Sequence, residues 1–323
     1  MEMFPKYYFG FISFLLLVGM LLYLRAAKKW SITDSPNERS SHKQITLRGG
    51  GFIYLFGLIL YLFFSNFNIY LFVTSGIFLG IVGFIDDIKN LNFKIKLLFQ
   101  LIIITVYLLV TFYIIEWYLI VLILIFLIGS INVYNFMDGI NGLTILYSLT
   151  SLITFYVINS CFYEFTDKNL LIVMILCNVI VGFFNIRKQA ICFLGDVGSI
   201  TMGFLFGSLV VLLMLKINSF NPLLLFIVYG IDAGWTIIHR LIKRENIFLP
   251  HRKHLYQLLV NELKFSHLLV SMIYFSIQTM VNIIWIYFYK MNLSIIVLII
   301  VIAVFSFIYL FIKQIIINKL KVN

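Results

Sequence analysis

The chain has 323 residues, of which 62% are hydrophobic and only 11% charged. Soluble domains sit near half apolar and a quarter charged, so this composition excludes a soluble globular enzyme and makes length a poor guide to domain count. The net charge of +11 has no long polar segment to form a nucleic-acid surface. It serves to set topology and favours anionic headgroups and anionic substrates. The three cysteines, Cys161, Cys177 and Cys192, form no CxxC pair and suggest no disulfide framework.

A membrane-spanning helix takes about 20 apolar residues. In chain order the apolar runs predict an all-α polytopic membrane protein with spans at 7–24, 51–65, 69–85, 97–115, 117–135, 142–160, 170–185, 200–215, 222–240, 268–289 and 294–316. That is a count of eleven, with ten as the alternative because several runs are short. Arg25, Lys28 and Lys29 follow the first run instead of preceding it, which reads as a spanning helix and not a cleavable leader. Placing the N-terminus outside and alternating leaves only Lys6, Lys168, Lys216 and Lys290 of the 24 Lys and Arg residues on the outer side, as the positive-inside rule asks. The outer connections are short and the inner ones long and polar, so function is expected at the cytoplasmic face. A single transmembrane domain, 1–323, carries the motif loops 34–51, 86–96, 135–142, 185–199 and 241–266.

The acids gather at that same face, in GFIDDIKNLN (83–92), NVYNFMDGINGL (132–143) and FLGDVGS (193–199). The loops DSPNERSSHKQITLRGGG (34–51) and PHRKHLYQ (250–257) lie on the same side. Neighbouring Asp86 and Asp87 point about 100° apart on a helix, and paired carboxylates repel unless a cation or proton lies between them. Asp86, Asp87, Asp138 and Asp196 together offer hard oxygen ligands suited to Mg²⁺, which binds one or two carboxylates plus phosphate oxygens. Arg, Lys and His in adjacent loops suit a polyanion. The combination describes a site for a magnesium-bound diphosphate.

Plainer readings stand beside these. A lone Asp at a helix end is usually a cap or a solvated charge. Gly76–Gly80 and Gly203–Gly207 are more readily helix packing than chemistry. His239 reads as a packing or interface residue and His267 as a loop-edge one. Asp232, inside a span, is by default a functional candidate, or else a structural partner for an arginine such as Arg240. No Walker loop, HExxH or GxSxG is present.

Taken in order, DD, NxxNxxDGxxG, GDxGS and HxxH resemble the polyprenyl-phosphate N-acetylhexosamine-1-phosphate transferases, over about residues 34–257. The resemblance is nearest to the branch that starts O-antigen and capsule synthesis, on PNERSSH…RGGG and HRKHLYQ. The HHHxE-type loop of the muramoyl-pentapeptide enzymes is missing. The resemblance implies that Asp196 binds the metal, with Asp87 as a second ligand, Mg²⁺ as cofactor and Mn²⁺ as substitute. It implies catalytic roles for Asp86, Asp87, Asp138, Lys96, His251, Arg252 and His254. It places Asn135, Asn185, Phe193, Arg48 and Asn141 in substrate binding, with Phe193 stacking on uracil. Asn141 stands where many relatives carry a second acid. The implied reaction moves N-acetylhexosamine 1-phosphate, with GlcNAc-1-phosphate as the default, from a UDP-sugar to undecaprenyl phosphate, releasing UMP. The implied setting is the bacterial cytoplasmic membrane, among membrane lipids, with a homodimer allowed and no nucleic acid partner. The rival classes are a multi-pass transporter of an anion, for which Asp232 is the only suggestive residue, and an inactive scaffold, which Asn141 leaves open.

Overall fold

A computed structural model describes residues 5–36, 41, 44–65, 69–246, 251–288 and 295–322. Parts of the first and last motif loops, at 37–40, 42–43 and 247–250, lie outside the described residues. Among them are Asn37, Glu38, Arg39, Ser40 and His42 of the PNERSSH motif.

The described chain is a helical bundle: α1 (Lys6–Lys29), α2 (Phe52–Phe64), α3 (Tyr70–Lys89), α4 (Phe93–Thr111), α5 (Trp117–Met137), α6 (Leu143–Cys161), α7 (Lys168–Asn185), α8 (Gly195–Ile217), α9 (Ile227–Ile242), the single turn α10 (Leu255–Gln257), α11 (His267–Phe288) and α12 (Ile295–Val322). A 3₁₀ turn, Asn221–Phe226 with Pro222 at its start, leads into α9. The strands β1 (Thr33–Asp34) and β2 (Thr46–Leu47) pair antiparallel in the first loop. Among the described residues ten helices are long and apolar enough to cross a membrane.

The difference from the count of eleven lies in α2. The run 51–65 yields a helix of 13 residues, about 20 Å long, because Gly49, Gly50 and Gly51 form the turn before it and Ser65 ends it. It still crosses the bundle from end to end. Its start lies against Leu194 and Gly198. Near its finish the Tyr61 hydroxyl donates to Asp167, the N-cap of α7, at 2.6 Å. The up-and-down alternation expected for eleven apolar segments therefore holds.

α8 forms the axis of the bundle. It is apolar all round and buried along nearly its whole length, as a core helix must be. It packs against α3 and α5, where a side chain on Gly203 or Gly207 would strike Ile131 and Ser130 of α5, so the Gly203–Gly207 spacing is packing. Polar side chains tie helices together inside the bundle: Tyr147 donates to Gln278 at 3.0 Å, and Asn282 donates to Thr154 at 2.9 Å. Such interhelical bonds satisfy groups that would otherwise face lipid.

Candidate functional site

The DD motif sits where α3 ends. Asn90 takes the left-handed conformation that closes the helix, and Asn92 caps α4 by accepting from the Lys94 N–H. The two acids diverge from this corner, as adjacent helical residues must. Asp86 accepts the Leu91 N–H at 2.6 Å and the Lys96 ammonium at 2.8 Å. Asp87 turns the other way and caps α8 from outside that helix, accepting the Asp196 and Val197 N–H groups at 2.8 and 3.0 Å. A carboxylate there meets both the free N–H groups and the positive end of the helix dipole.

Gly195 makes this approach possible. Its φ is +77°, and a Cβ at that position would lie 2.5 Å from the Asp87 carboxylate. The glycines of FLGDVGS therefore serve close contact between parts of the chain: Gly195 with Asp87, and Gly198 with Gly51.

The first loop closes over this corner. Gly50 and Gly51 donate to the Phe193 and Leu194 carbonyls, and Phe193 donates to the Leu47 carbonyl, each at 2.8 Å. The Tyr23 hydroxyl donates to the Arg48 carbonyl at 2.6 Å. Arg48 is thereby aimed inward, 2.7 Å from Asp87 and 2.9 Å from Asp196. Lys96 lies 2.7 Å from the other oxygen of Asp196. Two cations and three carboxylates thus form one network with Asp196 at its centre. Burial works against the Arg48 charge, but Asp87 and Asp196 outweigh it and hold the guanidinium above its usual range.

Beside the network lies a cavity of about 240 Å³. Its lining includes Arg48, Asn135, Asp138, Asn141, Asn185, Phe193 and Asp196. Asn135 donates to the Ser199 hydroxyl at 3.0 Å. Burial, reinforced by the nearby Asp196 carboxylate, pushes the Asp138 carboxyl up to about 7.

Asn185 and Asn141 line the cavity, but their amides are already engaged. Asn185 accepts from the Gly142 N–H at 2.7 Å and donates to the Cys192 carbonyl at 3.0 Å. Asn141 donates to the Arg187 carbonyl at 3.0 Å. Both join the 135–142 loop to the 185–199 loop.

The structure separates the remaining expected residues from the cavity wall. Asp86, Asp87 and Lys96 stand behind Asp196, and the Asp87 side chain has no exposed area. Its oxygens receive Arg48 and two backbone N–H groups, which leaves no open face toward the cavity for the expected second metal ligand. His251 and Arg252 are half-buried in the late loop. Burial and the neighbouring His254, Arg240 and Lys253 lower His251 to about 3, so it is neutral at ordinary pH.

His254 was expected to be catalytic. It is instead 1% exposed, with Nδ1 3.3 Å from Asp232. Asp232 pairs with His254 and two tyrosines, while Arg240 pairs with Glu245. The arginine proposed as a structural partner for Asp232 is therefore engaged elsewhere.

Sequence reasoning reads His267 only as a loop-edge residue and passes over Gln257, yet both line the cavity with Asp34 and Ser41. His267 receives the Asn141 N–H at 3.3 Å. The signal available in the sequence was its place at the start of a span, opposite the DGING loop.

The donor set fits a magnesium ion of the shared kind. Among the described residues no group of three or more His, Cys, Asp or Glu could hold a metal by itself. Mg²⁺ usually takes one or two carboxylates and completes its shell with water and substrate phosphate. Asp196, with Asp138 on the same cavity, supplies such oxygens. Each carboxylate oxygen of Asp196 receives one cation and retains acceptor capacity.

The chain is similar to known proteins. A model of glycosyl transferase family 4 matches residues 68–214. A Bacillus subtilis (strain 168) protein called a probable undecaprenyl-phosphate N-acetylglucosaminyl 1-phosphate transferase is 27% identical over 259 residues, 73% of this chain and 72% of its own. Phospho-N-acetylmuramoyl-pentapeptide-transferases of Buchnera aphidicola (strain Tuc7) and Streptococcus pneumoniae (strain D39) are each 28% identical. They cover 71% and 69% of this chain, and 77% of their own length in both cases. With ten membrane-length helices and bacterial relatives of this kind, the protein is a multi-pass protein of the bacterial cytoplasmic membrane. The family match covers the DD, DGING and GDVGS segments that the fold brings to one end of the bundle.

Proposed function

We propose that this protein transfers an N-acetylhexosamine 1-phosphate, GlcNAc-1-phosphate before others, from a UDP-sugar to undecaprenyl phosphate. UMP is released, and the product starts a cell-envelope polysaccharide. The observation that carries this reading is the convergence of Arg48 and Lys96 on Asp196 at the cavity edge, with Asp138, Asn135 and Phe193 around the cavity. The B. subtilis relative's name supports the lipid and the sugar. The HRKH loop, which lacks the HHHxE-type pattern, favours that relative's reaction over transfer of a muramoyl pentapeptide.

In this reaction an oxygen of the lipid phosphate attacks the phosphorus that carries the sugar. The new P–O bond forms as the bond from that phosphorus to the bridging oxygen breaks, and the electron pair leaves with UMP. One diphosphate replaces another, so catalysis is positioning and charge neutralisation. A bound Mg²⁺, held by Asp196 with Asp138 beside it, would supply Lewis-acid charge neutralisation at the diphosphate. Arg48 and Lys96 hold Asp196 in place, and Arg48 brings positive charge to the cavity edge. Phe193 offers a face on which the uracil ring stacks. A phosphate monoester is largely dianionic at neutral pH (second pKa about 6). The attacking oxygen therefore needs no strong base, and Asp86 and Asp87 act by orienting Lys96, Arg48 and the start of α8.

The test is UMP release by the purified protein from UDP-GlcNAc, UDP-GalNAc and other UDP-N-acetylamino sugars, with undecaprenyl phosphate and Mg²⁺ present. Release that needs both the lipid and the metal is expected. No release with any donor would end the proposal.

A further inference from the structure

Away from the cavity, the interior of the late helices holds a second polar cluster. Asp232 of α9 is 1% exposed. Its Oδ2 accepts from the Tyr274 hydroxyl of α11 at 2.6 Å. Its Oδ1 accepts from the Tyr309 hydroxyl of α12 at 3.0 Å and from the Leu255 N–H at 3.0 Å, with His254 Nδ1 at 3.3 Å. Lys313 of α12 donates to the Tyr309 hydroxyl at 2.7 Å and to the Thr236 hydroxyl at 2.9 Å. An acid and a lysine buried in membrane helices are costly to keep. Here they meet neither the cavity nor each other directly.

What Asp232 meets is the late loop. Its described residues form one α-helical turn, Leu255–Gln257, then a π-helical turn, Leu258–Glu262. Asp232 holds His254 and Leu255, where the first of these turns begins. The next residue, Tyr256, donates to the Phe136 carbonyl at 2.8 Å, between Asn135 and Asp138. The one after that, Gln257, lines the cavity and accepts the His254 N–H at 3.3 Å.

We propose that Asp232 is a positioning residue. The hydrogen-bond chain Lys313–Tyr309–Asp232, with Tyr274, pins His254 and Leu255 and so sets Tyr256 and Gln257 against the Asn135–Asp138 wall. The terminal helix α12, outside the segment matched by the family model, is thereby part of the site's support. This inference rests on the reading of that cavity as the transfer site.

The test compares Tyr309→Phe, Asp232→Asn and Gln257→Ala in the full-length protein. Hydrogen exchange over 251–262 and the kinetics of UMP release are read together. Tyr309→Phe removes one hydroxyl and is expected to speed exchange in 251–262 while α6–α8 stay protected. It is expected to lower kcat about 10-fold, the scale of a lost hydrogen bond to a charged group, with KM for the UDP-sugar within about threefold. The double variant Tyr309→Phe/Gln257→Ala is expected to be no slower than Gln257→Ala alone, because coupled residues are not additive. Unchanged exchange at 251–262, or fully additive losses, would overturn the proposal. If Asp232→Asn does not fold, Tyr309→Phe decides the matter. If the unaltered protein releases no UMP, the transfer reading has failed and the exchange arm alone decides the positioning.

Discussion

Asp196 is held from both sides, by Arg48 at 2.9 Å and Lys96 at 2.7 Å. Its loss therefore removes more than one carboxylate. Asp196→Asn keeps the shape but removes the charge on which both cations converge. UMP release is expected to disappear at every Mg²⁺ concentration, and near-normal release would remove the metal assignment. Gly195 is constrained twice, by its φ of +77° and by the 2.5 Å that a Cβ would leave to Asp87. Gly195→Ala is expected to destabilise the protein by about 1–3 kcal/mol for the strained backbone alone. A lower Tm in detergent checks this, and an unchanged Tm would contradict the close approach.

At the scale of elements, the join between α3 and α8 carries the site. Asp87 lies in the last turn of one helix and caps the other, and it receives Arg48 as well. Asp87→Asn leaves an amide where an anion faced two N–H groups and a guanidinium. Breaking a buried ion pair by changing one partner costs about 3–5 kcal/mol. A clear fall in Tm is expected, accompanied by loss of UMP release. Loss of activity at unchanged Tm would show that Asp87 acts on substrate directly.

This join also marks where the sequence stops being legible. Apolar runs set out the helices, and the clustering of acids at one end pointed to the candidate site, because both signals are local. Asp87 and Asp196 are 109 positions apart, so nothing local shows that one caps the helix bearing the other. The setting of His254 is hidden for the same reason. Its spacing from His251 is visible, but its partner Asp232 lies on α9, and the Phe136 ring beside it lies on α5. Asn141 looked like a weakened acid, whereas its amide is a strut to Arg187.

For the whole molecule, stability and pH are linked through the cavity. The Asp138 carboxyl has an ordinary value of 3.8 and lies near 7 in the folded protein. Between those values the folded state binds the extra proton. The stabilisation is full below 3.8 and is lost as pH rises through about 7. His251 works in the opposite sense, lowered from 6.5 to about 3. Its contribution is complete above about 6.5 and is lost as pH falls from there. From about pH 6.5 to 8, Asp138 is therefore the group of the two that still titrates. Tm is expected to decline across that window in the unaltered protein and to stay flatter in Asp138→Asn. Equal slopes would show that Asp138 is not held protonated.

The short helix α2 bears on the molecule's relation to its bilayer. Its 13 residues rise about 20 Å, against a hydrocarbon layer about 30 Å thick. Its far end is fastened to the start of α7 through Tyr61 and Asp167. The shortfall therefore falls at the end where Gly51 meets Leu194 and Gly198. Hydrophobic mismatch of this kind thins the adjacent leaflet or draws headgroups inward. In the proposed transfer, a phosphate carried on a lipid chain would then meet Asp196 without being lifted out of its leaflet, and a water-soluble nucleotide would descend to join it.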